Sequence, residues 1–463
     1  MPAAPPARPA RLLLGGLLAL TTALTGQLAT ASPGAADPVR AAAPDGPLTA
    51  AFDTAADRYD VPRDLLVAIG YAETRLDMHA GEPSAAGGYG LMHLVRNPRL
   101  RTLDEAATRT RLDPAVLRSD PAANVLGAAA VLRGYADQAG LTSTDRDDAG
   151  RWYGSVARYG GASDPSVARL YADAVYGLLR TGFSSERGVA VAGQAVVPHR
   201  GPLERAAGPA DVGTLSTDYP PAAWAPASTS NYTVASRPTS HPIRYVVIHM
   251  TQGSYAGSIS WFQNPAAKVS AHYTFRSSDG AVTQSVREKD IGWHAGNWTY
   301  NTQSIGIEHE GYVDNPAWFT DAMYRASAAL TRSLTAEYGI PRDRAHIIGH
   351  VEVPGATHTD PGPNWNWTYY LQLVNGVTGI GSGTVDTSSA NLNVRSGPGA
   401  SYPVVGTVAD GATVSIYCQA AGSTVTGPYG TTNVWNRIGT NRYVSDAYVY
   451  TGQSGYIPGV PRC

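Results

Sequence analysis

The sequence predicts a multidomain chain: an α-helical domain, then an α/β domain with a mixed sheet, then a small all-β barrel. Three changes of pattern carry that expectation. From Leu48 apolar residues recur at spacings of three and four, as on one face of a helix. From Arg244 β-branched runs alternate with a long helical stretch, and from Asn391 short alternating runs are separated by glycine turns. The length of 463 residues suits about three domains, each able to bury a core. A net charge of -2 and a pI near 6.6 exclude a polycation steered to nucleic acid or to an acidic membrane.

Residues 1–31 read as a signal peptide. Arg8 and Arg11 precede the apolar run Leu12 to Leu20, and Ala29-Thr30-Ala31 supplies the small-x-small pattern before Ser32. A membrane anchor is the alternative, but the strongly apolar part is shorter than the roughly 20 residues a span needs. Residues 32–47, rich in Ala, Pro, Gly and Asp, read as a disordered spacer. The helical domain is expected over 48–183. Asp60-Val61-Pro62-Arg63 reads as an Asp-capped helix start, and Leu65, Leu66, Ile69, Ala72 and Leu76 form an apolar stripe with Glu73 beside it. Gly87 to His93 (GGYGLMH), Asp120 to Asn124 and Trp152 to Gly161 follow.

That series resembles the lytic transglycosylase and goose-type lysozyme group. The resemblance implies a lysozyme-like helical domain in which Glu73 is the general acid for a glycosidic oxygen, its pKa raised by the apolar helix face. Two departures stand out: His93 is where that group has glutamine, and Tyr159-Gly160-Gly161 replaces an asparagine-containing segment. They leave open a domain that holds glycan strands without cutting them.

Residues 184–232 are dense in Pro, Ala, Gly, Ser and Thr and read as a linker. The α/β domain is expected over 233–376, with strands at 244–249, 271–276, 281–286, 304–309 and 345–349. A helix is expected from Asp321 to Tyr338, with Thr320 as N-cap and Gly339 as C-cap. Seven of the eleven histidines fall between Arg244 and Asp360. His249 ends a buried strand, His350 follows Ile347-Ile348-Gly349, and Asp360 enters a Pro361-Gly362 turn. Two imidazoles and one carboxylate leave a zinc coordination position open, which is the catalytic pattern. His346 and His350 imitate an H-E-x-x-H pair, but Ile347 replaces the glutamate, and on a strand the two lie about 13 Å apart. His309 points away from the face that carries Glu308.

VVIHMT at His249, SAHY at Ser270, WHAG at Trp293, SIGIE ending at Glu308, Gly349-His350 and HTDPG from His358 resemble, in that order, the zinc-dependent N-acetylmuramoyl-L-alanine amidases. That group includes phage lysozyme-type amidases and peptidoglycan recognition proteins. The resemblance implies zinc on His249, His350 and Asp360, Glu308 as general base, and His358 as a cation for the oxyanion. It also implies that His272, Trp293 and His294 line the substrate groove. Residues 377–384 read as a short link and 385–463 as the barrel, where NLNVRSGPG and YVSDAYV resemble bacterial SH3-like domains that bind wall peptides. In an exported chain Cys418 and Cys463 can pair, and a loop of roughly 45 residues contributes up to about 4 kcal/mol.

The expected protein is a secreted, monomeric peptidoglycan hydrolase. Its partner is peptidoglycan, with no nucleic acid and no membrane after signal cleavage. The competing readings are a non-catalytic recognition protein and a wall peptidase. Filled ligand positions together with Glu308 favour the enzyme.

Overall fold

The computed structural model describes residues 46–206, 215–376, 381–457, 460 and 462–463. The expected signal peptide and nearly all of the 32–47 spacer lie outside them. Among the described residues no helix is long and apolar enough to cross a membrane.

Helix Arg63–Thr74 is the axis of the helical domain. Leu65, Leu66, Val67, Ala68 and Ile69 are all buried, because helices Pro47–Tyr59, Pro121–Gln138 and Pro165–Thr181 pack around it. A helix apolar on nearly every side belongs inside a core. The expected Asp cap is corrected: Asp60 has φ 53 and closes the preceding helix, its N–H bonded to Ala56 O. Proline disfavours a helical residue before it, so the chain breaks at Asp60-Val61 and restarts after Pro62. The Asp60 carboxylate accepts from Arg146 at 2.6 Å instead.

Segment 184–232 is not the spacer its composition suggests. Phe183–Ser184 and Ala190–Val191 form a hairpin, and Val189 and Val191 are buried in the helical core. Farther on, Ala223–Trp224 pairs with Val282–Gln284, and Tyr232–Thr233 with Ile291–Gly292. Ala222 is already in the core of the α/β domain, which therefore starts upstream of 233. A few apolar residues make these contacts, and composition averages over them.

The α/β domain is built on a six-stranded sheet. Its order is Ile347–Gly349, Tyr245–Met250, Ser304–His309, Tyr273–Phe275, Val282–Gln284 and Ala223–Trp224. The first four strands are parallel and Val282–Gln284 runs antiparallel to its neighbour Tyr273–Phe275, so the sheet is mixed. Helix Asp321–Tyr338 begins with Thr320 Oγ1 accepting from Met323 N at 3.2 Å and ends at Gly339 with φ 66. It buries Met323, Leu330 and Leu334 against Val246, Ile248, Ile305 and Ile307. Period-two alternation then sends Val247 and His249 to the opposite face.

The barrel uses strands from Gly381–Val385 to Val449–Tyr450, arranged in a three-stranded and a five-stranded sheet. Its first strand occupies part of the expected 377–384 link, which corrects that boundary. Val385, Val394, Ile416 and Val444 fill its core. Cys418 and Cys463 are disulfide-bonded with Cα atoms 5.2 Å apart. The barrel rests on the α/β domain where Tyr417 meets Tyr369, ring centres 5.4 Å apart, and where buried Arg437 lies 4.6 Å from the Tyr369 ring.

Candidate metal centre

Parallel pairing builds the site. His249 and Glu308 are register partners on the two central strands, so their side chains leave the same face at the carboxyl ends, where open α/β sheets bind ligands. His350 directly follows Ile347–Gly349. Asp360 is returned to it by Val351 N bonding Asp360 O at 2.9 Å. Glycine is needed at 349, since a Cβ there would lie 2.6 Å from Pro361 Cδ and push the Asp360 turn away.

The Asp360 carboxylate sits between two imidazoles. Its Oδ2 is 3.1 Å from His249 Nδ1 and its Oδ1 is 3.1 Å from His350 Nδ1. The three buried groups place their ligand atoms within 4.8 Å of one another. Donors bound at about 2.0–2.2 Å around a tetrahedral ion lie roughly 3.3–3.5 Å apart, so donor type and spacing fit a zinc-sized cation. Burial alone would raise the Asp360 carboxyl, but hydrogen bonding to His249 and His350 holds it well below the usual carboxylate range.

A second layer orients the ligands. His249 Nε2 is 3.0 Å from His294 Nδ1, and burial keeps both imidazoles below the ordinary histidine pKa, hence neutral. A cation held by His249 through Nδ1 would leave the ring proton on Nε2, where His294 Nδ1 would accept it. The glycine of SIGIE makes room for this: a Cβ on Gly306 would fall 2.4 Å from His294 Cγ. From the opposite face His309 donates through Nδ1 to His249 O at 2.9 Å, and its Nε2 accepts from Ser327 Oγ at 2.7 Å. His309 is thus a support behind the strand and not a ligand.

Glu308, Trp293, His294 and His358 share with the three candidate ligands a cavity of about 280 Å³. Glu308 Oε2 has no hydrogen-bond partner. In the metal-free protein burial, and then the charge of Asp360, hold the Glu308 carboxyl well above its usual pKa; a bound cation acts in the opposite direction. Trp293 is fixed by its Nε1 donating to Thr233 Oγ1 at 3.0 Å. His358 is exposed, its ring stacked on His350 with centres 4.9 Å apart.

His272 is corrected. It is fully buried and outside the cavity, with Nε2 2.7 Å from Arg237 Nη2 and Nδ1 accepting from Gly306 N at 3.0 Å. Burial, and then the Arg237 charge, keep it neutral. It holds the strand of Glu308 in place and does not face a substrate. The sequence reading missed Arg237, which is buried and donates to Ser304 O at 2.7 Å and Thr302 O at 3.2 Å. No local pattern marks it.

In the helical domain Glu73 is 3% exposed and its Oε2 makes no hydrogen bond. His93 Nδ1 lies 3.4 Å from Glu73 Oε2, and His93 Nε2 lies 2.7 Å from Ser84 Oγ, a partner no motif had marked. The glycines of GGYG admit these side chains. A Cβ on Gly88 would lie 2.2 Å from the His93 ring, and one on Gly90 2.3 Å from the Asn124 amide that accepts from Met92 N. Gly88→Ala is therefore expected to cost about 1–3 kcal/mol, read as a lower urea midpoint; an unchanged midpoint would show that His93 swings freely. The cleft at Glu73 has about 30 Å³, roughly the space of one water, and helix Tyr255–Gln263 closes it with Ser260 and Trp261, together with Asn264 just past its end. The acid role expected of Glu73 lacks room for a sugar ring.

Residues 239–363 match the family model described as N-acetylmuramoyl-L-alanine amidase, and residues 390–457 match that for a bacterial SH3 domain. The first match runs through His249, Glu308, His350 and Asp360. The chain is 44% identical over 178 residues to N-acetylmuramoyl-L-alanine amidase A of Achromobacter lyticus, covering 35% of this chain and 97% of that protein. To the 1,6-anhydro-N-acetylmuramyl-L-alanine amidase AmpD of Salmonella typhimurium it is 41% identical over 113 residues, covering 23% of this chain and 58% of that protein. With nearly all of the Achromobacter protein spanned at that identity, the chain belongs to the N-acetylmuramoyl-L-alanine amidase family.

Proposed function

We propose that this chain is a secreted, zinc-dependent peptidoglycan hydrolase that cleaves the amide between the lactyl group of N-acetylmuramic acid and L-alanine. The observation that carries the reading is the convergence of His249, His350 and Asp360 at ligand spacing beside the unpartnered Glu308 carboxylate, in one cavity. When bound, the ion supplies Lewis acidity that makes an amide carbonyl a workable electrophile. Glu308 takes a proton from the attacking water and returns it to the departing nitrogen. His358, stacked beside His350 at the rim, offers a cation to the developing oxyanion. The barrel and its aromatic surface serve attachment to the wall.

A recognition protein without catalysis is disfavoured because no member of the catalytic set is missing. Glycan cleavage at Glu73 is left out of the proposal, since its cleft is closed over by the α/β domain. The test is product analysis of digested walls by mass. New L-alanine amino termini with intact glycan are expected. Release of stem fragments with the lactyl amide intact would identify a peptidase and defeat the reading.

A further inference from the structure

Ser304 opens the strand that carries Glu308, and it is fully buried. Its hydroxyl lies 2.6 Å from Tyr300 O and 3.2 Å from His294 Nε2. A hydroxyl has one proton to donate, and a carbonyl can only accept. The Ser304 proton therefore goes to Tyr300 O, one of the end carbonyls of helix Trp298–Gln303 that lack a partner further along the helix. Ser304 Oγ is then left to accept from His294 Nε2–H. A neutral imidazole carries one ring proton, so His294 Nδ1 has only a lone pair to offer His249 Nε2, 3.0 Å away. His249 answers with its proton on Nε2, which leaves the lone pair of Nδ1 facing Asp360.

The reverse order of protons is the competitor. Asp360 Oδ2, 3.1 Å from His249 Nδ1, draws the ring proton to that nitrogen. His249 Nε2 would then accept from His294, His294 Nε2 would accept from Ser304, and Tyr300 O would lose the Ser304 proton. Two contacts oppose this order. Asp360 Oδ2 already accepts from Met250 N at 3.3 Å, and the shorter of the two Ser304 contacts is the one to Tyr300 O. The backbone holds the parts in place. Asn301 Oδ1 accepts from His294 N at 3.1 Å and from Ala295 N at 2.8 Å, while Arg237 Nη1 donates to Ser304 O at 2.7 Å.

We propose that Ser304 is a positioning residue for the metal centre. By giving its proton to Tyr300 O it sets the tautomer of His294, and through His294 that of His249, so that His249 Nδ1 is free to hold a cation. The inference rests on the metal reading of His249, His350 and Asp360. Ser304 does not line the metal-site cavity, so its effect passes through two imidazoles. Without the hydroxyl nothing keeps the His294 proton on Nε2. Asp360 then takes the His249 proton on Nδ1, and a cation has to displace it.

The experiment measures zinc affinity of the full chain by competition with a chromophoric chelator. Ser304→Ala is expected to weaken binding about 10- to 100-fold, while saturating zinc still fills one site per chain. The ring nitrogens of the metal-free protein, labelled with 15N-histidine and read by NMR, give a second measurement. In wild type His249 and His294 should each carry the proton on Nε2, and in Ser304→Ala the His249 proton should move to Nδ1. A wild-type His249 protonated on Nδ1 overturns the relay, and so does a Ser304→Ala variant that binds zinc as tightly as wild type. If Ser304→Ala does not fold, the wild-type spectrum decides alone. A wild type that binds no zinc defeats the metal reading and the relay together, a result distinct from equal affinity in the two proteins.

Discussion

Glu308→Gln is expected to lower kcat for release of stem peptides by about 10²- to 10⁴-fold, with KM and metal content close to wild type. Glu308 and His249 are paired in register on adjacent parallel strands, so the carboxylate stands beside the candidate ligands without being one of them. Its Oε2 has no protein partner, which leaves it free for water or the leaving nitrogen. Glutamine fills the same volume but cannot accept a proton. The loss should therefore appear in turnover, measured by new amino termini per minute, while bound zinc measured by elemental analysis stays near one per chain. A variant that turns over as fast as wild type would remove Glu308 from the mechanism, and one that also loses its metal would make it a ligand.

Asp360→Ala should abolish stoichiometric zinc and lower activity to background, the second large effect. The carboxylate is the only one of the three donors that meets both imidazoles, 3.1 Å from each. Without it two imidazoles remain, too few to close a site. The same loss predicts a stability difference. Metal at a thousand times its Kd contributes about 4 kcal/mol to the native state, so a chelator should lower the melting temperature of wild type and leave Asp360→Ala unmoved. Activity of the chelated wild type should return with zinc and not with magnesium, because magnesium prefers oxygen ligands. Full activity in the chelated enzyme would sink the metal reading.

Much of this centre was legible in the sequence because the signals are local. The run Tyr245 to Met250 is a strand by its β-branched residues, and Thr320 and Gly339 bracket a helix by side-chain and backbone chemistry within one turn of its ends. The glycines at 88, 306 and 349 also carried information that periodicity does not use. Each marks a place where a histidine ring or a proline presses against the backbone.

The sequence alone determined that His249, Glu308, His350 and Asp360 were worth grouping, because the short motifs that carry them resemble, in that order, those of one amidase family. Tertiary packing decided the rest. His272 and His294 both lie in histidine motifs, yet Arg237 claims the first for the interior while the second meets His249 in the cavity. Ala222 and Val191 turn a spacer-like segment into parts of two cores. Glu73 has the helix and the neighbours of an acid catalyst, but the space before it is set by Trp261 from another domain. Local periodicity reports which way a side chain points. What stands opposite depends on contacts between distant segments, and that decides whether a carboxylate meets a substrate or a wall.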